Sequence, residues 1–162
     1  IFYRMDAFKE AAFCRRLTTF HETFAPAGHS SASKPVISAI WHEAVANRKV
    51  TEVCGAIMKL LTSPYLDPDR EHSHLIIWAD NCSGQNKNYV LYQTLYTAVY
   101  SQFVRFDKVT IKYLGAGHSF MAADSFHAAV ERSIKRNPVL LNIGEFEVCL
   151  KQSGYRTIRP IV

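Results

Sequence analysis

The sequence predicts a mixed α/β domain, and three observations carry that prediction. Two stretches rich in aromatic and β-branched residues, 12–24 and 36–46, are joined by a loop of small residues, the pattern of an antiparallel hairpin. Helical and extended patterns then alternate at 50–61, 75–80, 89–103, 108–114 and 122–135. No stretch of the chain repeats another. A hairpin leading into βαβ units implies a mixed sheet covered by helices.

Residues 1–9 are too short and mixed to assign. In 12–24 the side chains Phe13, Leu17, Thr18, Thr19, Phe20, Thr23 and Phe24 favour a strand, which Pro26-Ala27-Gly28 ends. The serine-rich run from His29 to Lys34 is a flexible turn, and Val36 to Ala46 resumes as a strand containing Trp41-His42-Glu43. Val50, Val53, Cys54, Ile57, Leu60 and Leu61 then recur at helical spacing, with Thr51 and Glu52 in the first turn. Pro64 and Pro68 bracket a loop. The apolar run that starts at Leu75 and ends in Asp80 lacks alternation, which predicts a strand covered on both faces.

Asn88 suits the N-cap of a helix running to about Phe103, with Leu91, Leu95, Ala98 and Val99 on one side. Tyr92, Tyr96 and Tyr100 form a neighbouring stripe, read here as the half-buried edge of a core helix, with base stacking as the alternative. Residues 108–114 alternate as a strand, and Gly115-Ala116-Gly117-His118-Ser119 makes a tight turn. Ala122 to Lys135 is helical, Pro138 stops it, and a last helix or loop precedes a short extended tail. If the opening residues supply one more strand, truncated in this chain, the order becomes βββαβαβα. That is the succession of a ribonuclease H-like mixed sheet with helices on both faces.

The 162 residues suit a single domain. A formal charge of +5 leans mildly toward an anionic partner. The four cysteines are far apart and form no C-x-x-C pair, which argues against a zinc finger, gives no disulfide framework and favours a reduced, intracellular setting. His72 and His74 read as a polar lead-in to a strand rather than a metal pair. No apolar run is long enough for a bilayer, so no membrane partner is expected. A phosphate-binding glycine loop, a dinucleotide fingerprint and a serine-hydrolase elbow are all missing. With Ile1 in first place, we expect a fragment of a longer protein or a processed chain.

The chemistry concentrates at three places. Asp80 ends an apolar strand and opens the amide-rich loop Asn81-Cys82-Ser83-Gly84-Gln85-Asn86-Lys87-Asn88, as a functional group does at the carboxyl end of a strand in an open α/β sheet. His118 lies in the glycine turn after the next strand. Asp124, His127 and Glu131 are spaced to share one helix face. Acids gathered this way repel unless a cation neutralises them. Carboxylates suit Mg²⁺ or Mn²⁺, and a pair of such ions serves phosphodiester chemistry. Plainer roles compete: a helix cap for Asp124, a surface pair with Lys135 for Glu131, a core histidine for His127. Glu52 and Glu43 are weaker candidates.

The strings Thr19-Phe20-His21-Glu22-Thr23-Phe24-Ala25-Pro26, Ile40-Trp41-His42-Glu43, Trp78 through Asn88, and Gly117-His118-Ser119-Phe120-Met121-Ala122-Ala123-Asp124-Ser125-Phe126-His127 are familiar. Over nearly the whole chain they resemble a family of transposase-like, ribonuclease H-fold domains of animal genomes and mobile elements. The resemblance implies a DDE/D-type set of three acids holding a two-metal site. Asp80 matches the second acid and Asp124 the third, with Glu131 as runner-up. His118 and His127 would orient water or phosphate, while Asn81 and Gln85 would position the site. In similar sequences the first acid lies just before the position of Ile1, and Asp6 falls in the following loop, so this chain is expected to lack one carboxylate. The implied function is a Mg²⁺- or Mn²⁺-dependent nuclease or polynucleotidyl transferase acting on DNA, with RNA as a second substrate class, self-association open, and a nuclear location. The alternative is a domesticated, inactive module that binds nucleic acid or a protein.

Overall fold

The computed structural model describes residues 18–158, except 29, 32, 68, 70, 82–85, 116–121 and 137–141. Within them the order is β1 (Thr19–Phe24), β2 (Val36–His42), α1 (Val50–Leu61), β3 (His74–Ala79), α2 (Tyr89–Tyr100), β4 (Lys108–Tyr113), α3 (Ala122–Arg136), α4 (Ile143–Gln152) and β5 (Tyr155–Ile158). The fold is mixed α/β, with the strands in two small sheets. β1 pairs antiparallel with β2, placing Glu22 opposite Ala39, and β5 adds to β2 in parallel. β3 and β4 form a separate parallel pair, with Trp78 beside Lys112.

β2 is the strand covered on both sides. Val36 and Ile40 pack with Val130 of α3 and with Phe146 and Leu150 of α4. Ile37, Ala39 and Trp41 pack on the other face with Phe20, Ala56 and Leu60. α1 joins the two sheets. Its Ala56 and Leu60 lie on the β1–β2 side, and Val53, Cys54, Ile57 and Leu61 meet Leu91, Leu95 and Ala98 of α2, against which Leu75, Val109 and Ile111 rest. Cys54 and Cys149 are free buried thiols within these cores.

Local chemistry sets the helix ends. The Lys49 N–H donates to Glu52 Oε2 at 3.0 Å, the Leu91 N–H to Asn88 Oδ1 at 2.8 Å, and the Glu145 N–H to Asn142 Oδ1 at 3.0 Å. Each side-chain oxygen satisfies a backbone donor at a helix start. Gly154, at φ +88°, links α4 to β5 in a backbone region that suits glycine.

The structure departs from the sequence reading at several points. The first predicted strand is described only from Thr19, since residues 12–17 lie outside the described set. The second ends at His42, not Ala46, because the Val45 and Ala46 N–H groups both turn back onto His42 O. α2 stops at Tyr100, where the Ser101 N–H caps it and Gln102 takes φ +54°. β3 is not covered twice: Leu75, Ile77 and Ala79 face inward, whereas His74, Ile76 and Trp78 are exposed. The tyrosine stripe is a surface feature too, with Tyr92, Tyr96 and Tyr100 exposed by 43, 62 and 77%. The last helix and the short extended tail agree with the sequence reading, as α4 and β5, and the tail pairs in parallel with β2. The extra opening strand of the βββαβαβα order falls on residues outside the described set.

Candidate functional site

Asp80 follows directly on β3, at the carboxyl end of the parallel pair, and the Leu114 N–H bond to Ala79 O continues the pairing up to it. Its Oδ1 accepts a hydrogen bond from Asn86 Nδ2 at 2.5 Å. The Asn86 carbonyl in turn accepts from the Tyr113 hydroxyl at 2.5 Å, and that hydroxyl pairs with the Tyr92 hydroxyl at 2.9 Å. Lys87 Nζ stands 4.8 Å from the centre of the Tyr113 ring. A polar chain therefore runs from Asp80 through Asn86 to the ends of β4 and α2. Burial, then the bond with Tyr92, pushes the Tyr113 phenol well above its ordinary range, so it stays a donor. Among the described residues, Asn86 is an amide that bonds the Asp80 carboxylate. Asn81 is exposed beside it, and Gln85 and His118 lie outside the described residues.

Sequence reasoning missed Glu22. Phe20, Glu22 and Phe24 share one face of β1 by the two-residue period of a strand, and an acid between two phenylalanines was the available signal. Arg48 Nη2 lies 3.6 Å from Glu22 Oε2. Burial raises the Glu22 carboxyl above its ordinary range, Arg48 opposes that, and the charge of Asp80 pushes it further up. Glu22 and Asp80 thus lie within electrostatic reach of each other, from different sheets.

The α3 residues form a second group. Asp124 and Glu131 are exposed, and both carboxylates act on His127 between them. The shared helix face expected from their spacing is present. Burial nevertheless lowers the His127 pKa against those two charges. The His127 ring lies 5.1 Å from that of His21, whose imidazole also meets Phe146 and Tyr155 at 5.9 and 5.7 Å. His21 Nε2 and Thr23 Oγ1 share a hydrogen bond at 3.0 Å. Burial first, and His127 second, bring the His21 pKa down to about 3, so this ring is neutral at physiological pH. His127 Nδ1 is buried with no hydrogen-bond partner among the described residues.

The weaker acids serve local roles. Glu43 Oε1 accepts the Thr18 N–H at 3.0 Å, and Glu52 Oε2 accepts from Lys49 N and Thr51 Oγ1. His72 pairs with Asp67 and His74 with Thr110, as a polar lead-in would. Among the described residues, no three histidines, cysteines or acids group at metal-ligand spacing. The charge of Asp80 acts on the buried Glu22 carboxyl, but two acids fall short of the donor set a divalent cation draws on, and the described residues do not by themselves complete one.

No helix among the described residues is long and apolar enough to cross a membrane. No curated protein and no solved structure matches the chain. Residues 43–154, more than half of the sequence and including Asp80, Asp124, His127 and Glu131, match a domain of unknown function, DUF7869, and the chain belongs to that family.

Proposed function

We propose that the chain is a nucleic-acid-processing domain of ribonuclease H-like, transposase-related type, which cleaves or transfers DNA phosphodiester bonds with Mg²⁺ or Mn²⁺. The observation that carries this reading is the carboxylate of Asp80 at the carboxyl end of β3, oriented by Asn86 and within electrostatic reach of Glu22. Asp80 and Asp124 would hold the metal, with Glu131 the alternative to Asp124. When bound, such ions activate a nucleophile and stabilise the leaving oxygen. Asn86 bonds the Asp80 carboxylate, and Arg48 opposes the Glu22 charge from 3.6 Å. His118 and His127 would orient water or phosphate, and Asn81 and Gln85 would position the site. RNA is the second substrate class, and a nuclear location and self-association are consistent with the reading.

The test is cleavage or strand transfer of a DNA duplex in Mn²⁺, with Asp80→Ala as the diagnostic variant. Loss of turnover with folding retained is expected. Undiminished turnover in that variant refutes the assignment.

A second reading is a module that binds nucleic acid without cutting it. It is favoured by the exposed aromatic surface, where Tyr96 and Tyr100 stack at 5.8 Å and Trp78 stands beside Lys112. It predicts salt-sensitive binding with no metal-dependent turnover.

A further inference from the structure

The solvent face of the β3–β4 pair is unusual for a sheet that covers a core only on its other side. A parallel pair is ordinarily covered on both faces, and a face that meets water ordinarily carries polar side chains. Here the outward positions include Ile76 and Trp78, exposed by 45 and 49%. Their neighbours in register are Thr110 and Lys112, and His74 stands beside Lys108 at the start of the pair. Lys112 Nζ lies 5.1 Å from the centre of the Trp78 ring, and His74 Nε2 bonds Thr110 Oγ1 at 2.9 Å. Among the described residues neither Lys108 nor Lys112 forms an ion pair. One small face thus offers an indole, an aliphatic side chain and two lysine charges, with Trp78 two residues before Asp80, which follows directly on the strand.

We infer that this face is a stacking platform for a single strand of nucleic acid, with Trp78 carrying an unpaired base and Lys108 and Lys112 its phosphates. The proposal rests on the nucleic-acid reading above and narrows its substrate to an unpaired strand. Three physical points select this occupant. The two cations complement a phosphate chain. The indole presents a flat π-face that any base can use, and the bases of a duplex already spend theirs on one another. Trp78 lies about 7 Å before Asp80 along the strand, so a base held on the indole brings its backbone to the carboxylate. The lysine–indole contact is the resting state: the ammonium covers the ring by a cation–π contact and can swing to a phosphate when a base arrives.

Trp78 is one of two tryptophans, and the other, Trp41, is only 3% exposed. Intrinsic fluorescence therefore reports on the platform. The 162-residue protein is titrated in EDTA with an oligothymidylate of about twelve nucleotides and with a duplex of equal length. The expected result is quenching by the single strand, at lower concentration than by the duplex. Anisotropy of the labelled oligonucleotide should show roughly tenfold weaker binding for Trp78→Ala and a smaller loss for Trp78→Phe. Lys112→Gln should lower the slope of log affinity against log salt by about 0.7.

These side chains are on the surface, and unchanged circular dichroism and thermal melting would show that the variants fold. Equal affinity of Trp78→Ala and the unsubstituted protein overturns the platform, as does preference for duplex. Quenching that follows protein concentration rather than added strand also overturns it and identifies a second copy of the chain as the occupant. Because EDTA removes the metal, this outcome is independent of the cleavage test. Cleavage that survives Asp80→Ala refutes the catalytic reading alone.

Discussion

The neutral histidine at the contact between β1 and α3 makes a pH prediction that can be worked through. His21 is 4% exposed, ringed by His127, Phe146 and Tyr155, and its pKa is about 3 against an ordinary 6.5. The unfolded chain accepts a proton near pH 6.5, and the folded chain resists it. Stability from this group is therefore full above pH 6.5 and is lost as pH falls toward 3. The full shift corresponds to about 5 kcal/mol as an upper bound, of which about 2 kcal/mol is gone by pH 5. Replacing His21 with phenylalanine keeps a ring in the aromatic pocket and removes the proton site. It also removes the bond to Thr23, worth about 1 kcal/mol at every pH, so the slope is the diagnostic and not the absolute stability.

The assay is urea unfolding at intervals from pH 7.5 to pH 5, a window in which most carboxylates stay ionised. The unsubstituted protein should lose about 2 kcal/mol more than His21→Phe across that window. His127 and Glu22 titrate in both proteins and cancel in the comparison. Parallel stability curves for the two proteins would refute the reasoning.

Two further substitutions test the packing around the candidate site. Glu22 has a raised pKa, so its contribution is present below about pH 4.5 and is lost as pH rises through the folded value. Glu22→Gln should therefore melt at a higher temperature than the unsubstituted protein at pH 7, with the difference shrinking at pH 4, as followed by circular dichroism. An unchanged or lower melting temperature at pH 7 would mean that Arg48 outweighs burial. Ile40 is fully buried between β2 and α4, and Ile40→Ala should cost about 2–5 kcal/mol in urea unfolding.

The helix starts were legible because their causes lie within four residues. Asn88 bonds the Leu91 N–H, and Glu52 the Lys49 N–H, whatever the rest of the chain does. The β1–β2 hairpin and the alternation of β4 were legible for similar reasons, since a strand's side chains divide between two faces without regard to distant partners. Asp80 was legible because an acid ending an apolar run stands out in any context. Its bond to Asn86 was less so: the loop holds several amides, and nothing in the sequence marks Asn86 among them.

By itself, then, the sequence determined an α/β domain, most of its element boundaries, the shared face of Asp124, His127 and Glu131, and the strand-end place of Asp80. Tertiary structure decided what covers each face and which distant charges meet. Leu75 through Trp78 read as doubly buried because four apolar residues in a row reveal no outer face. Among the described residues no layer covers the outer face of the pair, and Trp78 stands exposed beside Lys112. The charge of Asp80 reaches Glu22, and the His21 ring meets that of His127, across sheets and helices far apart in the chain. No local pattern encodes such pairs, because their energy comes from desolvation and Coulomb interactions that exist only once the core has closed around them.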